Sequence, residues 1–83
     1  MSEFTPREIV SRMLRNLREI YLAQGDQLRQ LEVLDRLVLL LPHTIELRRE
    51  RGLLHADMGH VPAALVDLEW FLAHAEGNPA RVS

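Results

Sequence analysis

The sequence predicts an all-α fold: four helices paired as two stacked antiparallel hairpins. Three observations carry this expectation. Apolar residues recur at steps of three and four along four separate stretches, the spacing that puts side chains on one helix face. Breaks at Gly25-Asp26, Pro42 and Gly59-His60 separate those stretches, since glycine adopts the left-handed conformation that ends a helix and proline cannot continue one. A shift of 34 residues lays the chain on itself, Gly25 on Gly59, Leu31 on Leu65, Leu34 on Leu68, Leu37 on Phe71, Val38 on Leu72, Ile20 on Leu54 and Arg15 on Arg49.

The first helix is expected over 6–24. Thr5 caps the free amides, Pro6 occupies a first-turn position where its missing N–H costs nothing, and Glu8 closes a capping box. Ile9, Val10, Met13, Leu14, Leu17, Ile20 and Tyr21 form its apolar stripe, with Arg12, Arg15 and Glu19 facing away. Asp26 caps a second helix over 27–41, striped by Leu28, Leu31, Leu34, Leu37, Val38 and Leu41 and widened by Val33, Leu39 and Leu40, which suggests cover on two sides. Thr44 is expected to cap the third helix, over 44–58. It sends Leu47, Leu54 and Met58 inward but crowds Arg48, Arg49, Glu50 and Arg51 into its first turns, the weakest pattern of the four. The fourth helix, over 61–76, tolerates Pro62 in its first turn, is lined by Ala64, Leu65, Leu68, Phe71, Leu72 and Ala75, and is expected to run until Gly77-Asn78-Pro79.

Helix-turn-helix units with this period mark tetratricopeptide repeats, so 11–44 and 45–78 read as two copies of one hairpin within a single domain spanning 1–83. The stretches Arg12-Met13-Leu14-Arg15-Asn16-Leu17, Val33-Leu34-Asp35-Arg36-Leu37 and the run Glu46 to Leu54 also resemble the C-terminal repeat region of bacterial SirB-family proteins over residues 11–79. Those are transglutaminase-like proteins carrying tetratricopeptide repeats. The resemblance implies a right-handed superhelical array. It transfers no chemistry, because no residue here matches the family's larger N-terminal domain. Two positions depart from the general repeat: Arg48 and Arg51 stand where the first helix has Leu14 and Leu17, and Gln30 stands where Ala64 supplies the small crossing residue. Arg51 either pairs with a carboxylate, Glu32, Asp35 or Asp67, while its stem packs, or faces a ligand.

Composition narrows the function further. A formal charge of −2 supplies no general attraction for nucleic acid or anionic membranes. Leu37 to Leu41, the longest apolar run, is far short of a membrane span, and the N-terminus shows neither a basic region nor an apolar one typical of a secretory signal. The absence of cysteine removes disulfides and thiol chemistry and fits the cytoplasm. His43, His55, His60 and His74 lack the three- or four-residue helical spacing of a metal site, so no metal or cofactor is expected. His55, aligned with Tyr21, reads as a packed or half-buried ring at the hairpin interface. Asp35 with Glu32, and Asp67 with Glu69, read as solvated or ion-paired carboxylates rather than an acid–base pair, and Ser2, Ser11 and Ser83 have no elbow motif to make a nucleophile.

The expected function is therefore a non-catalytic protein-interaction module. In tetratricopeptide proteins the first helices of successive repeats line a groove, which by the resemblance is Arg12, Arg15, Glu19 and Leu22 with Glu46, Arg49, Leu53 and Ala56. Its arginines suit an acidic or carboxylate-ended partner segment and Leu22 and Leu53 an apolar side chain, while Glu19 and Glu46 disfavour a uniformly negative ligand. The alternative reading of these positions is a solvated face. Trp70, Phe71, Leu72 and Ala75, with no later repeat to cover them, suggest self-association as a homodimer. The rival function is a regulatory or substrate-positioning C-terminal piece of a larger transglutaminase-like SirB-family protein whose catalytic-type domain is absent.

Overall fold

The computed structural model describes residues 5–76 and places α1 at Pro6–Gln24, α2 at Gln27–Leu40, α3 at Glu46–Asp57 and α4 at Val61–Glu76, with no strand among the described residues. Contacts join α1 to α2 and α3 to α4, and the chain divides into two compact units, Met1–Pro42 and His43–Ser83. Each unit is one antiparallel hairpin.

In hairpin one the capping box at Thr5 is complete. The Glu8 amide donates to the Thr5 hydroxyl at 3.1 Å and the Thr5 amide donates to the Glu8 carboxylate at 3.0 Å. At the far end of α1, Gly25 takes φ +71°. Its amide donates to the Leu22 carbonyl and that of Asp26 to the Tyr21 carbonyl, the paired bonds of a Schellman ending. The Asp26 carboxylate then accepts from the Arg29 amide and opens α2.

Hairpin two repeats this turn one period later. Gly59, at φ +83°, donates to Ala56, and His60 donates to His55. The start of α3 differs from the expected Thr44 cap. Ile45 is already in helical dihedrals and holds no side-chain cap, so the first amides are served by the Thr44 and Ile45 carbonyls instead, and α3 begins at Glu46. The end of α4 beyond Glu76, with Gly77-Asn78-Pro79, lies outside the described residues.

The core is narrower than the apolar stripes imply. In α2, Val33, Leu34, Leu37 and Val38 are buried, each of the two fully enclosed leucines contributing about 1.5–3 kcal/mol, and Gln30 is buried with them. Gln30 and its repeat equivalent Ala64 are both buried. Leu39 is 82% exposed and Leu28 is also outside, so α2 is not covered on two sides at those positions. Along α1, Leu14, Leu17 and Tyr21 are half-buried, whereas Ile9, Val10, Met13 and Ile20 are exposed. The reason is angular: a stripe with three- and four-residue steps spans more than 100° of a helix, and a single neighbouring helix covers only part of it. The same limit leaves Leu65 and Leu72 of α4 exposed while Ala64 is buried.

Hairpin two closes around a charged seam. Asp67, on α4, is 2% exposed. Arg51 of α3 grips it with both arms of its fork, Nε to Oδ2 at 2.7 Å and Nη2 to Oδ1 at 2.8 Å, and Arg48 Nη1 approaches Oδ1 at 3.6 Å. This two-point geometry is the strong form of an arginine–carboxylate pair. Gly52 lets the helices meet: a Cβ there would stand 2.8 Å from Leu68 Cγ and 3.1 Å from Asp67 Cβ, too close for any side chain without displacement. The Arg48 guanidinium also lies 4.3 Å from the Trp70 ring centroid, and Trp70 stacks on His74 at 3.7 Å.

Candidate partner-binding site

The apolar edge of α1 left uncovered by α2 becomes a surface feature. Ile9, Arg12, Met13, Arg15 and Asn16 line an open recess of about 480 Å³, with Met13 58% exposed. These positions lie within two helical turns, so two guanidiniums, one amide and two apolar side chains share a single patch.

Arg12, Arg15, Glu19 and Leu22 are all exposed on α1, and Glu46, Arg49, Leu53 and Ala56 are all exposed on α3. Each set of four forms one stripe on its own helix. Among the described residues, neither Arg15 nor its repeat equivalent Arg49 has an ion-pair partner. Glu19, by contrast, accepts from Arg18 Nη2 at 3.0 Å, which partly offsets its charge beside the recess.

A second, shallower recess of about 300 Å³ is lined by Val10, Leu14, Leu39 and Leu40 with Arg36 at its rim. Sequence reasoning missed it, together with Ile9, Met13 and Asn16, because it assigned every residue of an apolar stripe to the core. The available signal was width: a run as long as Leu37 to Leu41 exceeds what one helix–helix seam hides.

The α3 arginines resolve into two kinds. Arg48 and Arg51 turn to Asp67, whereas Arg49 points into solvent. Asp67 is thus a buried, paired carboxylate. Of the four residues expected for self-association, Trp70, Phe71 and Ala75 are half-buried and Leu72 is 52% exposed. The rings of His55 and His60 are tilted at 50° to each other with centroids 5.3 Å apart, and His74 donates through Nδ1 to the Trp70 carbonyl at 2.8 Å. His43 is exposed. Among the described residues no group of three or more His, Cys, Asp or Glu converges, and no helix is long and apolar enough to cross a membrane.

Comparison with known proteins is in keeping with this architecture. Residues 17–83 match the family described as tetratricopeptide repeat. A UPF0162 protein of Xylella fastidiosa (strain Temecula1 / ATCC 700964) is 38% identical over 66 residues, covering 80% of this chain and 24% of the relative. The chain therefore spans about a quarter of that relative's length. No solved structure matches. Tetratricopeptide repeats generally mediate protein–protein interaction. With two hairpins related by a 34-residue shift, twin glycine turns and a match over most of its length, the chain belongs to the tetratricopeptide-repeat family.

Proposed function

We propose that this chain is a non-catalytic, cytoplasmic docking module that holds a segment of a partner protein against the exposed face of α1, with the exposed stripe of α3 as a further contact surface. The observation that carries this reading is the α1 recess, where Arg12, Arg15 and Asn16 stand beside the exposed Ile9 and Met13. On α1, Arg15, without an ion pair among the described residues, supplies the attraction and the exposed Leu22 adds apolar surface; on α3, Arg49 and the exposed Leu53 are side chains of the same kinds. The ligand is a segment in which a carboxylate neighbours an apolar side chain. A contact shielded by the bound segment contributes about 1.5–3 kcal/mol, against about 0.2–1 kcal/mol for one left in solvent.

Peptide display against the folded chain tests this. The parent should enrich peptides with Asp, Glu or a free C-terminal carboxylate beside an apolar residue, and the Arg15→Glu, Arg49→Glu double variant should lose them and gain lysine-bearing ones. Identical enrichment by parent and variant would refute the reading.

A second reading has its own support, the coverage of about a quarter of the UPF0162 relative. Here the module is the C-terminal repeat region of a longer SirB-like protein, and its partner segment lies in the remainder of that protein. The measurement is titration of this chain into the Xylella protein trimmed of its matching segment. Saturable binding that the same two arginine variants abolish supports it, and no binding opposes it. Self-association through Leu72 and the neighbouring Trp70, Phe71 and Ala75 is the remaining proposal, and sedimentation showing only monomer at high concentration would remove it.

A further inference from the structure

The two glycine turns share a backbone but not their side chains. In a Schellman ending the last-turn residue that accepts the six-to-one bond and the residue after the glycine are brought together, usually as an apolar contact. In hairpin one those positions are Tyr21 and Asp26; in hairpin two they are His55 and His60. The His60 amide donates to the His55 carbonyl at 2.8 Å, Gly59 holds φ +83°, and the two Nδ1 atoms stand 3.1 Å apart.

We propose that His55 and His60 form a two-imidazole chelate, bound through both Nδ1 atoms, for a late first-row divalent cation such as Ni²⁺, Cu²⁺ or Zn²⁺. Imidazole nitrogens sit about 2.0–2.1 Å from such a metal, so two of them are about 2.9 Å apart at a right angle and about 3.3 Å apart at a tetrahedral angle. The observed spacing falls between those values. Without metal, one Nδ1 carries the hydrogen and the other accepts it. On binding, that hydrogen is taken up at Nε2 of the same ring, both rings remain neutral, and no net proton is released. His60 is exposed, and rotation about its soft terminal torsion turns the two lone pairs from each other onto a common point. Among the described residues no third His, Cys, Asp or Glu completes a cluster, so water fills the remaining coordination positions. This departs from the expectation of no metal, which weighed only helical spacings; a five-residue interval across a glycine turn is not one of them.

The test is calorimetric titration of the untagged chain with NiCl2 and ZnCl2, paired with NMR of the imidazole nitrogens. One metal should bind per chain, with the resonances of His55 and His60 Nδ1 moving, one Nε2 staying protonated and the other becoming protonated as its ring changes tautomer. His55→Ala and His60→Ala should each weaken binding by about tenfold or more, because a chelate loses one of its two ligands. His43→Ala and His74→Ala should leave it unchanged. Gly59→Ala, with helicity checked, should also weaken it although both histidines remain, which separates the built turn from a mere count of histidines. Binding that survives the His55 and His60 substitutions overturns the proposal, as does the absence of heat and shifts at millimolar metal, which would reduce the pair to a hydrogen-bonded helix ending.

Discussion

At matching positions the two hairpins are held together by different physics. Where hairpin one has Leu14, Leu17 and Val33, hairpin two has Arg48, Arg51 and Asp67, and where one has Arg18 the other has Gly52. The first seam depends on apolar burial. The second depends on a carboxylate sealed from water and held at two points, with the glycine allowing the helices to close over it. The shared framework is the backbone: identical glycine turns and hairpin pairing at a 34-residue period. A repeat thus specifies where helices stop and which faces meet, and leaves the chemistry of the meeting face open.

The largest expected effect comes from unpairing the charged seam. Asp67→Ala removes the carboxylate that Arg51 grips at two points and Arg48 approaches, and should cost about 3–5 kcal/mol in urea unfolding. Val33→Ala, at the matching position, removes two methyl groups and should cost only about 2 kcal/mol. Equal losses would erase the distinction between the seams.

Close approach is the next difference. Gly52→Ala should destabilise by about 1–3 kcal/mol, because the new methyl group meets the branched carbon of Leu68 as well as one of its methyls, and the Asp67 Cβ beside them. A change below measurement error would mean that α4 moves aside freely. The shared turns should then behave alike: Gly25→Ala and Gly59→Ala each force a Cβ into the left-handed region and should each cost about 1–2 kcal/mol. Smallest of all is a conversion. Replacing Arg48, Arg51 and Asp67 together by the Leu, Leu and Val of hairpin one should leave stability within about 1 kcal/mol of the parent or raise it, since a buried ion pair gains little over well-packed apolar groups.

How much of this was legible in the sequence follows the same division. Caps at Thr5 and Asp26 and glycine turns at Gly25 and Gly59 are local, and local chemistry states them outright. The Thr44 cap failed because Ile45 had already entered the helix, a one-residue matter that periodicity does not resolve. Asp67 was among three carboxylates considered for Arg51, but its depth was not readable, because a polar residue at a core position looks the same in sequence as one on the surface. Ile9, Met13 and Leu39 were assigned inward for the opposite reason: their type is apolar, and only the packing shows that no helix covers them. The exposed recess on α1 is a product of that leftover surface.

The central claim is that the arginines divide by task, Arg48 and Arg51 holding the second hairpin shut while Arg15 and Arg49 stay available to a partner. Urea unfolding of four single variants, Arg15→Ala, Arg48→Ala, Arg49→Ala and Arg51→Ala, measures that division directly. The account predicts a loss of about 3 kcal/mol or more for Arg51 and about 1 kcal/mol for Arg48, whose contact with Asp67 is longer and whose ring contact with Trp70 is partly exposed. Arg15 and Arg49 should change stability by less than about 0.5 kcal/mol. A loss at Arg15 or Arg49 as large as that at Arg51 would contradict it.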